Sequence, residues 1–294
     1  MSSDNRDVPA TTPTAQGQAP AVDHYENFPG ASVLCPPALR PAVAAIYWFA
    51  RTADDIADEG TASAAERLAD LTAYRDDLSA IYAGRPASTR WPRVFEPLAR
   101  MAAQHGLPQQ LLADLLSAFM QDVRMTDEGA VYADRARLLD YCQRSAAPVG
   151  RLMLHLYGVH DEVSNVQSDA ICNALQLINF WQDLSVDLPR RRYYLPADHC
   201  APHGVTPQDP SALGPAVARL LVAEQVRWAR EMMLSGTPLV HRVPGRAGWE
   251  LRLVVQGGLR ILDKIEAMDF ATWHARPKLR ARDVPVMLWR TIAM

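Results

Sequence analysis

A tyrosine, an arginine and three acids recur at helical spacing in the first quarter of this chain. They are Tyr47, Arg51, Asp54, Asp55 and Asp58, in a segment otherwise rich in alanine and large apolar residues. Positions three or four residues apart share one face of an α-helix, so this polar stripe lies opposite an apolar one. Aspartate is a poor helix former in mid-helix, which indicates that these acids have a function.

A second stretch of the same kind follows in the second half of the chain. Gln176, Asn179, Asp183 and Asp187 again fall on one helical face. The two amides lie within a strongly apolar run, where a polar side chain needs a partner or a cavity. A satisfied core amide is the ordinary explanation of such a residue, but the two acids on the same stripe favour a polar site.

Carboxylates one helical turn apart suit divalent cations that prefer oxygen ligands. Mg²⁺ often takes only one or two protein carboxylates and completes its octahedron with water and phosphate oxygens. Two helices that present acids across a cavity would therefore hold Mg²⁺ together with a diphosphate. The cation makes diphosphate a good leaving group because it neutralises the charge that develops on it.

The remainder of such a cavity would shelter a carbocation between apolar walls and aromatic faces. Candidate aromatic residues are Phe28, Tyr47, Phe180, Trp181 and Tyr194. Arg51 and the basic run 190–192 would add phosphate contacts, although a solvated loop is an alternative explanation of that run.

The composition restricts the class of protein. The chain has 294 residues, 49% of them hydrophobic, and a net charge of −3, which argues against a general nucleic-acid binder. Its four cysteines show no pairing pattern, so we expect reduced thiols in a cytoplasmic protein. Residues 1–22 are rich in Ser, Thr, Pro, Gln and Ala, which predicts a disordered tail, and no apolar run is long enough to span a membrane.

Apolar residues follow a helical period from residue 38 onward, and strand signals are nearly absent. The pattern predicts one all-α domain over residues 23–294, with helices two to three layers deep. Predicted helices cover residues 38–58, 64–83, 93–105, 108–126, 134–145, 148–158, 162–187, 211–235, 246–270 and 279–291.

Several strings together resemble the squalene/phytoene synthase family, the head-to-head branch of the all-α isoprenoid synthases. The resemblance runs from about Asp23 to the final helix. It is carried by residues 24–28, 45–59, 141–150, 175–183 and 192–196, which include Ala-Arg-Thr-Ala-Asp-Asp-Ile-Ala-Asp and Leu-Ile-Asn-Phe-Trp-Gln-Asp. The family implies a single-domain helical bundle with a central active-site cavity.

The resemblance also implies roles for individual residues. Mg²⁺ is expected on Asp54, Asp58, Asp183 and Asp187, with Tyr47 and Arg51 also in the catalytic set. Expected diphosphate contacts come from His24, Arg51, Gln176, Asn179 and Arg192, and expected cavity contacts from Phe28, Tyr47, Tyr141 and Tyr194. Asp55 is also expected to bind substrate. The basic segment at residues 276–282 is more simply a solvated helix start. Its functional alternatives are a second phosphate contact, for which Arg276 is the best candidate, or docking on an anionic membrane.

Three positions depart from the family pattern. Gln182 and Val186 stand where the second motif usually has arginine and glutamate, and Arg191 stands where glycine is expected before Arg192. With the string at 254–260, this variant is similar to the branch of the family that forms hydroxysqualene in bacterial hopanoid biosynthesis. That resemblance implies that presqualene diphosphate is ionised and the cation captured by water, so NADPH is not expected.

Other activities and partners stay open at this point. The alternatives are presqualene diphosphate synthesis or complete NADPH-dependent squalene synthesis from farnesyl diphosphate, and a non-catalytic scaffold for pathway enzymes. We expect no nucleic-acid partner, but allow peripheral contact with the inner membrane and association with other enzymes of squalene metabolism. The glycine pair at 257–258 indicates either close helix packing or room for a prenyl tail, and we favour the latter.

Overall fold

The computed structural model describes residues 35–294. The predicted tail at 1–22, His24 and Phe28 therefore lie outside the described residues. Twelve α-helices form the described part: α1 (Arg40–Asp58), α2 (Ala64–Tyr82), α3 (Pro92–His105), α4 (Gln109–Glu128), α5 (Arg135–Ser145), α6 (Ala147–Leu156), α7 (Glu162–Gln182), α8 (Leu184–Asp187), α9 (Ala197–Cys200), α10 (Pro215–Gly236), α11 (Gly245–Ala267) and α12 (Val284–Ala293).

The prediction of an all-α fold is confirmed, since residues 35–294 contain no β-strand beyond two isolated bridges. Each of the ten predicted helices has a counterpart. α10 and α12 begin later than predicted, each with a proline in its first turn, where the missing N–H costs no intrahelical bond. None of the helices in this part of the chain is both long and apolar enough to cross a membrane.

The prediction of one helix over residues 162–187 is wrong. α7 ends at Gln182, and Asp183 leaves the helical region with φ −104° and ψ 13°. Just beyond it, the Ser185 N–H donates to the carbonyl oxygen of Thr272 at 3.1 Å. The helical pattern of the sequence gives no sign of this contact with the segment after α11. The contact changes the direction of the chain, which continues as the short helix α8.

Two apolar clusters form the core. One is built by α1, α2, α3 and α4, and the other surrounds α7 together with α5, α10 and α11. α7 is the central helix, packing against α5, α6, α10 and α11. Cys35, Cys142, Cys172 and Cys200 are all unpaired.

The face of α1 opposite its acids is fixed by aromatic packing. Phe49 and Tyr74 are fully buried, with ring centroids 5.2 Å apart. The Tyr74 hydroxyl also donates to the carbonyl oxygen of Phe49 at 3.1 Å, tying α2 to α1. Because this face is held inside the core, the polar stripe of α1 must point away from it.

The glycine pair of α11 serves helix packing, which corrects our expectation of room for a prenyl tail. A Cβ atom at Gly258 would lie 2.9 Å from Met233, 3.1 Å from Leu175 and 3.2 Å from Ile178. Three side chains of α7 and α10 therefore fill the space beside it. One at Gly257 would be 3.5 Å from Met287 of α12.

Candidate active site

The polar stripe of α1 is organised around Arg51. Its Nη1 lies 3.0 Å from Asp54 Oδ2 and its Nη2 lies 2.7 Å from Asp55 Oδ1. One guanidinium group thus partly neutralises two neighbouring carboxylates. Tyr47, one turn earlier on the helix, is half-buried, and its ring packs edge-on against Trp48 with centroids 5.2 Å apart.

The second acidic stretch lies at the junction of α7 and α8. The break at Asp183 leaves this side chain at the helix end, where its Oδ1 contacts Arg276 Nε at 2.6 Å. Asp187, at the end of α8, is buried. Arg276, singled out from the sequence as a second phosphate contact, therefore lies beside the acids of the second stretch.

Arg192 links the two acidic stretches. Its guanidinium group forms an ion pair with Asp58 of α1. The charge of the same cation opposes the rise in the pKa values of Asp54 and Asp187, so it lies near acids of both stretches. The Arg192 backbone N–H also donates to the carbonyl oxygen of Asp187 at 3.0 Å, so one residue of each acidic stretch contacts Arg192.

Burial and mutual repulsion perturb these acids. Burial, together with the charge of Asp58, raises the pKa of Asp54 to about 6, against the opposing effect of Arg51. Burial and the charge of Asp183 raise the pKa of Asp187 to about 7, although Arg192 opposes this rise. The nearby arginines thus compensate the negative charge only in part.

Asp122 of α4 also lies at this candidate site, although it was not among the residues predicted from the sequence. It accepts a hydrogen bond of 2.6 Å from the Tyr141 hydroxyl. Burial is the main cause that raises its pKa to about 7, and its electrostatic neighbours include Arg192, Asp58 and Asp54. A signal was present in the sequence, because Asp122 falls at helical spacing from the buried Leu115 and Ala118, on an otherwise apolar face.

Aromatic side chains form a cluster beside this carboxyl group. The rings of Phe180 and Tyr194 stack with centroids 3.7 Å apart, and Tyr141 lies 6.2 Å from Phe180. Tyr132, which the sequence analysis also missed, lies 5.7 Å from Tyr141 and 6.1 Å from Tyr194. A bridge between residues 131 and 193 places the two flanking segments side by side, which explains this contact.

The remaining candidates of α7 differ in their surroundings. Gln176 and Asn179 are half-buried, and neither side chain hydrogen bonds to another residue in the 35–294 part of the chain. Trp181 is fully buried in the core, so its expected place on a cavity wall is not supported. Gln182, one of the departures from the family pattern, donates a 2.6 Å hydrogen bond to the carbonyl oxygen of Pro277.

Two surface cavities lie elsewhere. One of 490 Å³ opens between α2, α4 and α5, and one of 290 Å³ is lined by residues of α5, α9 and α10. Neither is lined by the aspartates of the two stretches. Gln121 connects the larger cavity with the aromatic cluster, because its Nε2 lies 3.3 Å from the Tyr132 hydroxyl. A central cavity between α1 and α7 stays a prediction.

The donor chemistry of the acidic stretches fits Mg²⁺. All four expected ligands are carboxylates, and burial and a neighbouring acid raise the pKa values of Asp54 and Asp187, an effect that a bound cation would oppose. No group of three or more His, Cys, Asp or Glu side chains converges on one point within residues 35–294. Instead, Asp54, Asp58 and Asp183 each form an ion pair with an arginine. A metal bound by one or two of these carboxylates, with phosphate oxygens beside it, remains compatible with this arrangement.

Known proteins that are similar to this chain all point to one family. Residues 21–283 match the squalene/phytoene synthase family. A hydroxysqualene synthase of Zymomonas mobilis is 39% identical over 189 residues, which are 63% of this chain and 59% of that protein. Another, of Rhodopseudomonas palustris, is 34% identical over 251 residues, 83% of this chain and 80% of that protein. A presqualene diphosphate synthase of Z. mobilis is 35% identical over 261 residues, 88% of this chain and 85% of that protein.

Solved structures agree with this result. A squalene synthase from Alicyclobacillus acidocaldarius superimposes with a TM-score of 0.75 at 34% identity, covering 84% of this chain and 90% of that one. A dehydrosqualene synthase gives the same TM-score of 0.75 at 18% identity, which speaks for the fold alone. The chain therefore belongs to the squalene/phytoene synthase family, a family of prenyl-transferring enzymes.

Proposed function

We propose that this enzyme is a hydroxysqualene synthase, converting presqualene diphosphate and water into hydroxysqualene and diphosphate without NADPH. The observation that carries the proposal is the position of Arg192, between two sets of aspartates and next to the aromatic cluster. The relatives named hydroxysqualene synthase support the choice of reaction. In this reaction the C–O bond to diphosphate breaks with its electron pair, and a water oxygen bonds to the rearranged cation.

The arginines bind the diphosphate in this proposal. Arg51, Arg192 and Arg276 each contact an aspartate, and each guanidinium group would turn to the phosphate oxygens of a bound substrate. Asp54, Asp58, Asp183 and Asp187 would hold Mg²⁺, which would neutralise the charge that develops on the leaving group. Gln176 and Asn179, half-buried on the same face of α7, are free to donate amide N–H groups to the same phosphates.

The aromatic cluster stabilises the cation. Phe180, Tyr194 and Tyr141 present ring faces within a dry region, and a ring face attracts positive charge. The Tyr141 hydroxyl donates its hydrogen bond to Asp122. The oxygen of this hydroxyl therefore accepts a hydrogen bond from the attacking water. The oxygen of that water bonds to the cation, and the released diphosphate takes up its surplus proton.

Two other activities compete with this proposal. A presqualene diphosphate synthase must hold two farnesyl diphosphates, and the relative of that name keeps this rival open. We favour a site that binds a single diphosphate. Gln182 lacks the charge of the family's arginine, and its amide donates a hydrogen bond to the carbonyl oxygen of Pro277. Complete squalene synthesis needs a hydride donor, whereas water capture needs only a positioned water. A non-catalytic scaffold role has weaker support, since all four aspartates expected to bind Mg²⁺ are present.

The test supplies the purified protein with presqualene diphosphate or farnesyl diphosphate and Mg²⁺ in ¹⁸O-labelled water, with and without NADPH. Mass spectrometry of the C30 product decides. We expect an ¹⁸O-labelled alcohol from presqualene diphosphate alone. Squalene formed only with NADPH, or presqualene diphosphate accumulating from farnesyl diphosphate, assigns one of the rival reactions.

The metal is tested by Asp54→Asn and Asp183→Asn. Both variants should lose turnover by several orders of magnitude while the melting temperature stays nearly unchanged, because a group that acts on the transition state is removed. The matched control is Asp70→Asn. The Asp70 side chain is 45% exposed and paired with Arg90 at 2.9 Å, as the Asp54 side chain is 39% exposed and paired with Arg51 at 3.0 Å. Full turnover without Mg²⁺, or in both site variants, excludes the metal-dependent reaction.

A further inference from the structure

α12 carries apolar side chains around almost its whole circumference. Thr291 is buried and Met287 half-buried on the side that packs on α11. On the outward side, Trp289 is 73% exposed, Ile292 69% and Leu288 48%. A helix that is apolar all round is normally buried on every side. The outward face of α12 therefore lacks a partner within residues 35–294.

The segment leading into α12 is basic. Lys278, Arg280 and Arg282 are exposed, and Leu279 lies exposed among them. The acid of this region, Asp283, is buried against Lys264 and Arg260. Every exposed charged side chain from residue 276 to residue 294 is thus positive, on a chain whose net charge is −3.

We propose that the α12 surface, defined by Lys278–Arg282 and the outward face of α12, docks on an anionic lipid bilayer. Basic side chains beside an exposed apolar helix face are the combination that binds anionic membrane surfaces. Tryptophan favours the region of the lipid headgroups, which suits Trp289. A second copy of the chain is a poorer occupant, because a symmetric contact would bring two basic segments together.

The α12 surface is continuous with the candidate active site. Two residues before Lys278, Arg276 contacts Asp183 at 2.6 Å, and the Pro277 carbonyl accepts from Gln182 at 2.6 Å. Docking would bring the bilayer close to the end of α7. A direct transfer of prenyl chains between bilayer and site rests on the proposed function, whereas docking itself does not.

The experiment is co-sedimentation of the full chain with vesicles, without any substrate. One set of vesicles contains phosphatidylcholine alone, and the other contains phosphatidylcholine with phosphatidylglycerol. We expect binding to the anionic vesicles that weakens with added salt, because salt screens the attraction. Equal binding to both sets, or no binding at low salt, contradicts the proposal.

Variants separate the apolar and the basic contributions. Leu288→Ser with Trp289→Ser, and Lys278→Glu with Arg282→Glu, should each weaken binding by roughly tenfold or more. Leu220→Ser is the matched control and should bind like the parent, because Leu220 is also 48% exposed but lies on α10. Circular dichroism and melting temperature verify that each variant is folded.

Self-association is measured on the same proteins by sedimentation velocity without vesicles. A dimer that is abolished by the Leu288/Trp289 variant, with no vesicle binding by the parent, assigns the α12 surface to a second copy and overturns the proposal. A protein that binds vesicles but yields no hydroxysqualene leaves docking intact and contradicts only the proposed reaction.

Discussion

The carboxyl group of Asp122 is subject to opposing influences. Burial raises its pKa most strongly, and the charges of Asp58 and Asp54 add to this rise. The hydrogen bond from Tyr141 and the charge of Arg192 lower it. The resulting pKa of about 7, against 3.8 for an ordinary aspartic acid, means that the fold favours the protonated form.

Asp122→Asn should remove a pH dependence of stability. Between about pH 4 and pH 7 the folded protein holds a proton that the unfolded chain has released, so the free energy of unfolding falls as the pH rises. Asparagine is neutral and still accepts the bond from Tyr141. The variant should therefore gain stability relative to the parent from pH 4 to pH 8, measured by urea unfolding with a chelator present. Asp127→Asn, at an exposed acid on the same helix, is the control; parallel curves for Asp122→Asn and the parent contradict the expectation.

Arg191 adopts a backbone conformation that suits glycine. Its φ is 62°, in the left-handed region, which explains why the family pattern has glycine at this position. Its guanidinium group lies against Gly129, so close that a Cβ there would be 2.6 Å from Nη2. The chain thus accepts local strain next to Arg192, and Gly129 makes room for the larger side chain.

Arg191→Gly should raise the free energy of unfolding by up to about 1 kcal/mol, since the strain of a left-handed non-glycine residue is removed. Arg190→Gly is the control, because Arg190 lies in the preceding 3₁₀ turn and has no such strain. It should lower stability, as glycine loses more conformational freedom on folding. Urea unfolding measures both, and a similar decrease in the two variants would show that the strain is negligible.

At the scale of elements, the segment from α11 to α12 is held by a few polar contacts. Asp283 is fully buried and contacts Lys264 at 2.7 Å and Arg260 at 2.8 Å. The hydrogen bond from Lys264 is the first cause that holds its pKa well below the usual range. The ionised form is thus favoured by folding, and this stabilisation is present above the ordinary aspartate pKa and is lost as the pH falls through the lowered one.

Asp283→Asn should lower the free energy of unfolding at neutral pH by about 2 kcal/mol, because two cations lose their buried partner. Limited proteolysis should cut the chain between α11 and α12 faster than in the parent. Asp269→Asn is the control, since Asp269 pairs with Arg219 at 3.0 Å while its side chain is 65% exposed. A proteolysis rate equal to that of the parent would mean that α12 is held by apolar contacts alone.

At the scale of the whole molecule, the two apolar clusters share helices. α6 contributes Leu152 to the cluster of α1–α4 and Leu154 to the cluster around α7. α4 likewise contributes Leu116 to one and Ala118 to the other. Each cluster therefore depends on helices that also contribute to the other, and the single domain over residues 23–294 stays a prediction.

The described domain should therefore unfold in one calorimetric transition. Leu152→Ala, which opens a cavity in one cluster, should lower the melting temperature of this single transition by several degrees. Leu220→Ala, at an exposed leucine, is the control and should change it little. Two separated transitions, of which Leu152→Ala moves only the first, would show that the clusters are independent domains.

The sequence by itself determined most of the helices and the acidic stripe of α1, because helical periodicity is a local property. The second acidic stretch was predicted on one helix, but the chain leaves that helix at Asp183. The sequence also identified the family, since several short strings match it together, and it singled out Arg192 and Arg276. The metal and substrate roles of these residues, including those of His24 and Phe28, stay predictions.

Only the tertiary structure decided which groups surround them. Asp122 and Tyr132 come from segments without a motif, and their positions depend on how α4, α5 and the segment around 193 pack together. The break at Asp183 likewise follows from a hydrogen bond between Ser185 and Thr272, far apart in the chain. Such contacts are set by long-range packing, and no spacing within a single helix encodes them.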